Sequence, residues 1–138
     1  MNTKLYKKVH TLATDLMKAA KKNDETAFNR LYEELKQLCY DNENDKVKNH
    51  PVQWETLADF CDDTDDALPI YQKALGYAED INSHDFITSI SYAMAIIYQQ
   101  EGKTVQAIRS AKKADEHALK ISDSDLQNDI KKLLKALS

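Results

Sequence analysis

A chain of 138 residues that is 42% hydrophobic and 30% charged has room for a packed core and is too apolar to stay disordered. Two glycines and two prolines are too few for the turns of a sheet protein, so the composition selects an all-α fold in a single domain spanning 1–138. The formal charge of −4, with arginine only at Arg30 and Arg109, argues against a nucleic-acid binder, which presents a basic, arginine-bearing face.

Residues 3–22 place Leu5, Val9, Leu12, Ala13, Leu16, Met17 and Ala20 at helical spacing, with Lys4, Lys7, Lys8, Lys18, Lys21 and Lys22 on the outer face. Asn23-Asp24 breaks this helix and caps a second one over about 24–42, with Ala27, Phe28, Leu31, Tyr32, Leu35, Leu38 and Cys39 inward. The polar run 41–50 has no period and reads as the longest loop. Pro51 then opens a short third helix to about 61, where its missing N–H costs nothing. Its less polar positions are Val52, Trp54, Leu57, Ala58 and Cys61. Pro69 belongs in the first turn of the fourth helix, which puts that helix start at Asp65 or Asp66 as the capping residue. This helix runs to about 81 with Ala67, Ile70, Tyr71, Ala74, Leu75 and Ala78 on one face.

Asn82-Ser83-His84 makes the next break. A fifth helix over 84–100 is apolar nearly all round (Phe86, Ile87, Ile90, Ala93, Met94, Ile97, Tyr98), as suits a central position. A turn at Gly102 leads to a sixth helix over about 104–121, with alanines at 107, 111, 114 and 118 in one stripe that admits a close neighbour. Ser122-Asp123-Ser124 caps a last helix, 124–137, with Leu126, Ile130, Leu133, Leu134 and Leu137 on one face and a polar outer face.

The helices repeat. Residues 67–75 align without gaps with 107–115 at an offset of 40, and 54–58 align with 91–95 at an offset of 37, so the earlier unit is three residues shorter at its turn. Self-similar helical hairpins at this period mark a helical solenoid, because one hairpin cannot bury its apolar stripe alone. Met94, Ala95, Tyr98, Gly102, Ala107, Ala111 and Ala114 in the later unit carry the pattern of the tetratricopeptide repeat (TPR) family. Trp54, Leu57, Ala58, Ala67, Tyr71 and Ala74 carry it in the earlier one. The chain resembles that family over 51–120. It departs at Ser91 and Ala111, where the pattern wants a bulky residue and an aromatic one, and the earlier unit lacks the glycine. The resemblance implies antiparallel hairpins stacked as a short TPR-like solenoid. Residues 3–42 would be a degenerate first hairpin, 51–81 and 84–121 the two units, and 124–137 a capping helix.

Catalytic chemistry finds little support. The DDTDD run at 62–66 fails as an EF-hand, since Ala67 and Lys73 stand where Gly and Glu are required. No two of His10, His50, His84 and His117 lie three or four apart, as a helical zinc pair needs. There is no Gly-rich phosphate loop and no Cys with an obvious His partner; Cys39 and Cys61 read as reduced thiols. The one catalytic alternative pairs His84 with Asp85 or Asp80. We therefore expect a non-enzymatic protein with no metal and no cofactor. The N-terminal residues lack the apolar core of a signal peptide and no apolar run could span a membrane, so a cytoplasmic location is expected.

Charge supplies the functional signal. Between Asp59 and Asp85 stand eight carboxylates and one basic residue, Lys73. Such polarisation is either a solvated face or a docking surface for a basic protein. In the TPR resemblance the groove-facing positions fall on Glu55, Asp59 and Asp62 in one unit and on Tyr92, Ile96 and Gln99 in the next. With Asp63 and Asp66 of the acidic run, these eight are the candidate partner-binding residues, although Tyr92 and Ile96 also suit a core. The expected function is protein binding. A small acidic chain of this kind is similar to bacterial TPR-type immunity proteins, which neutralise a basic toxin encoded beside them; the competing expectation is a chaperone or adaptor that holds a peptide in the concave groove.

Overall fold

The computed structural model describes residues 2–138, and among them the chain is all-α, with seven helices and no strand. These are α1 (Thr3–Lys21), α2 (Glu25–Asn42), α3 (Pro51–Asp59), α4 (Thr64–Asp80), α5 (His84–Gln100), α6 (Thr104–Ala118) and α7 (Ser124–Leu137). The chain divides into two compact units, Met1–Ile70 and Tyr71–Ser138, with the boundary inside α4.

In the first unit α1 packs on α2, and α3 packs on both. The core comprises Val9, Leu12, Leu16 and Ala19 of α1, Leu31, Leu35, Leu38 and Cys39 of α2, and Trp54, Leu57 and Ala58 of α3. The buried stripe of α1 lies slightly off the expected one: Ala19 is inside, whereas Met17 is 51% exposed. Trp54 is completely buried, its indole N–H donating to Asn49 Oδ1 at 2.7 Å and its ring meeting Tyr40 edge-on. The polar loop after α2 is held by α3. Gln53 Nε2 donates to the Lys48 carbonyl at 2.6 Å, and the Asp45 carboxylate accepts from the Val47 and Lys48 amides.

In the second unit α5 and α6 form an antiparallel hairpin, and α7 packs on both. Ala107, Ala111, Ala114 and Ala118 are all buried, as their stripe requires, and Ile130 and Leu133 of α7 join them. Gln127 of α7 donates to the Ala118 and Ile121 carbonyls at 2.8 and 3.0 Å, tying α7 to the segment that leaves α6.

Three helix ends share one device. After α1, α4 and α5 a single residue adopts positive φ: Asn23 at 54°, Asn82 at 54° and Gly102 at 73°. Its amide and the next one bond back to carbonyls of the last turn: Asn23 to Ala20 and Asp24 to Ala19, Asn82 to Glu79 and Ser83 to Ala78, Gly102 to Gln99 and Lys103 to Tyr98. These are the paired bonds of a Schellman ending, with asparagine standing in for glycine at two of the three. Asp24 and Ser83 then accept from Ala27 and Phe86 as caps of the following helix, so the reversal takes three residues.

The repeat is visible in burial. Residues 51–58 and 88–95 show the same succession of buried and half-buried positions at every step. Residues 67–80 and 107–120 agree everywhere except Leu68 against Ile108. Ser91, in the place of the bulky Trp54, is buried like it.

Where the copies diverge is informative. At the 37-residue offset, the last turn of α5 (97–100) corresponds to 60–63, which in the earlier copy is not helical. The earlier copy drops its separate turn and uses those four residues, Phe60 to Asp63, as the connection. Helix α4 also begins earlier than expected. The Asp63 carboxylate, rather than Asp65 or Asp66, caps it by accepting from the Asp65 amide at 2.8 Å. Pro69 consequently lies in the second turn instead of the first, where it cannot donate to the Asp65 carbonyl.

Candidate functional site

The shortened connection shapes the surface of the first unit. Phe60 ends α3 in a non-helical conformation, with the Cys61 amide bonded to the Ala58 carbonyl at 3.1 Å. The following Asp62 and Asp63 are exposed. Opposite them α2 presents Phe28 and Tyr32, one turn apart on its apolar stripe. Their rings stack with centroids 6.5 Å apart, and Phe60 meets Phe28 at 6.4 Å in an edge arrangement. Between α2, the connection and the start of α4 lies an open cavity of about 560 Å³. Phe28, Tyr32 and Phe60 form its apolar wall, Asp62, Asp63 and Asp66 supply carboxylates, and Lys36 is the single basic side chain in its lining. A second cavity of about 370 Å³ adjoins it, sharing Phe28, Asn29 and Asp62 and adding Asp24 and Glu25 from the α1–α2 turn.

The hydroxyl of Tyr32 is held strongly toward its protonated form. Burial is the largest cause, followed by a hydrogen bond and charge repulsion from Cys61, then the carboxylates of Glu33 and Asp66. Tyr32 therefore stays a neutral O–H group through the physiological range. The Cys61 thiol in turn donates to the Asp63 carbonyl at 3.5 Å, which ties the loop to this ring. Both cysteines are free thiols, as expected from the sequence.

Of the eight candidate residues, three come together: Asp62, Asp63 and Asp66 line the larger cavity. Glu55, half-buried on α3, and Asp59, exposed at its end, are outside that lining. Tyr92 and Ile96 sit in the second unit against α7. Both pack on the cluster of Ala95, Ala111 and Leu133, and Tyr92 also on that of Ala114, Ala118 and Ile130. Burial, then Asp129, pushes the Tyr92 hydroxyl upward. α7 thus packs on Tyr92 and Ile96, two of the positions that the TPR resemblance puts in the groove. Gln99 is exposed.

Phe28, Tyr32 and Phe60 were not among the candidates. Phe28 and Tyr32 read as core because they continue the stripe of α2, whereas they stand half-buried in the wall of the larger cavity. Among the described residues no cluster of three or more His, Cys, Asp or Glu could hold a metal ion, and no helix is long and apolar enough to cross a membrane. His84 faces His117 instead of Asp85 or Asp80, with the two Nδ1 atoms 2.9 Å apart.

Compared with protein-family models, with curated proteins and with solved structures, the chain has no match in any of the three.

Proposed function

We propose that this chain is a non-enzymatic, TPR-type protein-binding module whose docking surface is the acidic, ring-lined cavity beside the α3–α4 connection. The observation that carries the reading is the placement of Asp62, Asp63 and Asp66 beside the half-buried rings of Phe28, Tyr32 and Phe60 in one cavity lining. A lysine or arginine of a partner satisfies both halves of such a wall at once. Its methylene stem and cationic head pack on the rings, and its charge pairs with the carboxylates. The remaining acidic residues attract a basic partner at long range and set its orientation. The specific role that follows is that of an immunity protein, which binds and neutralises a basic toxin encoded beside it. The peptide-groove alternative draws less support, because Tyr92 and Ile96 are engaged by α7.

Capture of basic partners at low and high salt, by the native chain and by the double variant Asp62→Lys/Asp66→Lys, tests the proposal. Asp63 is left in place because its carboxylate caps α4. The expected result is at least a tenfold loss of affinity, about 1.4 kcal/mol, with a flatter salt dependence and unchanged helicity. Unchanged affinity and unchanged salt dependence would remove the cavity from consideration. The product of the adjacent reading frame is the first partner to examine, by inhibition of its activity.

A further inference from the structure

His84 and His117 lie outside the surface described above. His84 opens α5 and His117 lies in the last turn of α6, and their Nδ1 atoms approach to 2.9 Å although the residues are 33 apart in sequence. The ring centroids are 5.1 Å apart and the planes tilt by 31°. Rings that far apart with nitrogens this close meet nearly head-on, one Nδ1–H donating to the lone pair of the other. Among the described residues no third His, Cys, Asp or Glu joins the pair as a metal site would need. The contact has a definite place in the fold. The turn at Glu101–Lys103 closes one end of the α5–α6 hairpin, and the two imidazoles close the other.

We propose that the His84–His117 contact is an acid-released latch on the open end of the α5–α6 hairpin, holding with no or one added proton and opening with two. In the neutral pair one ring carries its proton on Nδ1 and the other on Nε2. A first added proton goes to the free Nε2 of the donor ring and makes the bond charge-assisted, so the latch stays shut. A second can only go to the accepting Nδ1. It sets two N–H groups and two positive charges against each other, and the contact must break.

The surrounding charges divide the two steps. His117 is held below its ordinary value, first by burial and then by His84, with Lys113 adding to the effect. Glu116 on α6 and Glu79 on α4 oppose this, Glu79 while paired with Lys113 at 3.3 Å. Of the charges of α7, Asp129 acts on Tyr92 and Lys131 pairs with Asp115 at 2.9 Å. The helix ends add an asymmetry: a cation is welcome at the C-terminus of α6 and unwelcome at the N-terminus of α5. The second proton is therefore opposed by burial, by the first positive charge and by Lys113.

Long-range ¹H–¹⁵N spectra of the intact chain, recorded from about pH 8 down to about pH 4, test the latch. His10 and His50 serve as internal references. The expected result is one ring of the pair in the Nδ1–H tautomer at neutral pH and two macroscopic steps separated by more than about one pH unit. Amide exchange in the first turn of α5 and the last turn of α6 rises several-fold across the second step. In His84→Gln and His117→Gln the remaining imidazole titrates in a single step, and that rise in exchange at acid pH is lost. Two Nε2–H rings titrating independently in the native chain, or exchange at these helix ends that ignores the second step, would overturn the proposal even if neither variant folds.

Discussion

Replacing Trp54 with alanine removes the largest fully buried side chain in the molecule. The indole has no exposed area, lies edge-on to Tyr40 at 5.2 Å and donates to Asn49, which helps fasten the long loop to α3. Truncating a buried aromatic costs its transfer free energy plus the cavity left behind, about 3–5 kcal/mol in total. Against a net stability of about 5–15 kcal/mol for a domain, this is about a fifth of the margin at the least. Trp54 has no exposed area and packs edge-on against α2, so the upper half of the range is expected. Trp54→Phe keeps most of the volume and loses the hydrogen bond. Asn49 is half-exposed and can turn to water, so this change should cost about 1 kcal/mol for that bond. Urea melts followed by far-UV circular dichroism measure both variants. Trp54 is the only tryptophan, so native fluorescence separately reports unfolding of the first unit. A loss below about 1 kcal/mol for Trp54→Ala would refute the packing argument, because that is the size of an exposed-site change.

Three further outcomes follow from the helix ends and the one mid-helix glycine. Gly76 lies exposed inside α4, and a Cβ built there meets nothing within 4 Å, so Gly76→Ala should raise stability by about 0.5–1 kcal/mol, measured by thermal melt. Asn82 holds φ at 54°, where alanine is strained. Asn82→Ala should cost about 1–2 kcal/mol while Asn82→Gly costs less, and equal losses would remove backbone strain as the cause. The Nδ1 of His50 accepts from the Val52 amide at 3.1 Å, which requires that nitrogen to be bare, and burial lowers the pKa of this ring. A lowered native value means that the unfolded chain takes up the proton first. The stability from this cap is therefore fully present above about pH 6.5 and is lost as the pH falls through the lower native value. His50→Asn, which caps without titrating, should flatten that part of the stability–pH curve; an unchanged curve would show that the cap contributes nothing.

The seven helices were legible in the sequence because their signals are local. Period, capping residues and the scarcity of glycine each act within a few residues, and the boundaries agree to within a turn. The 37- and 40-residue offsets were legible too, and the burial pattern repeats along them. The errors arose where a neighbour decides. Pro69 was expected in the first turn because the proline rule concerns α4 alone, whereas the start of that helix is drawn back by Asp63. Spacing alone suits Tyr92 and Ile96 to either groove or core, and α7, apart from them in sequence, packs against them. The pairing of His84 with His117 had a sequence signal that a search for spacings of three or four passes over: in a hairpin turning at Gly102, residues at similar distances on either side face each other.

The sequence by itself determined the helices, their count, their apolar stripes and the alanine face of α6, since each depends on residue type and spacing along one chain segment. It also marked 59–66 as the place where charge gathers and the repeat is cut short. Only the tertiary structure decided what that shortening does. Phe28, Tyr32 and Phe60 stand half-buried in the wall of a cavity whose other side is the α3–α4 connection, because these segments, apart in sequence, meet only in the folded chain.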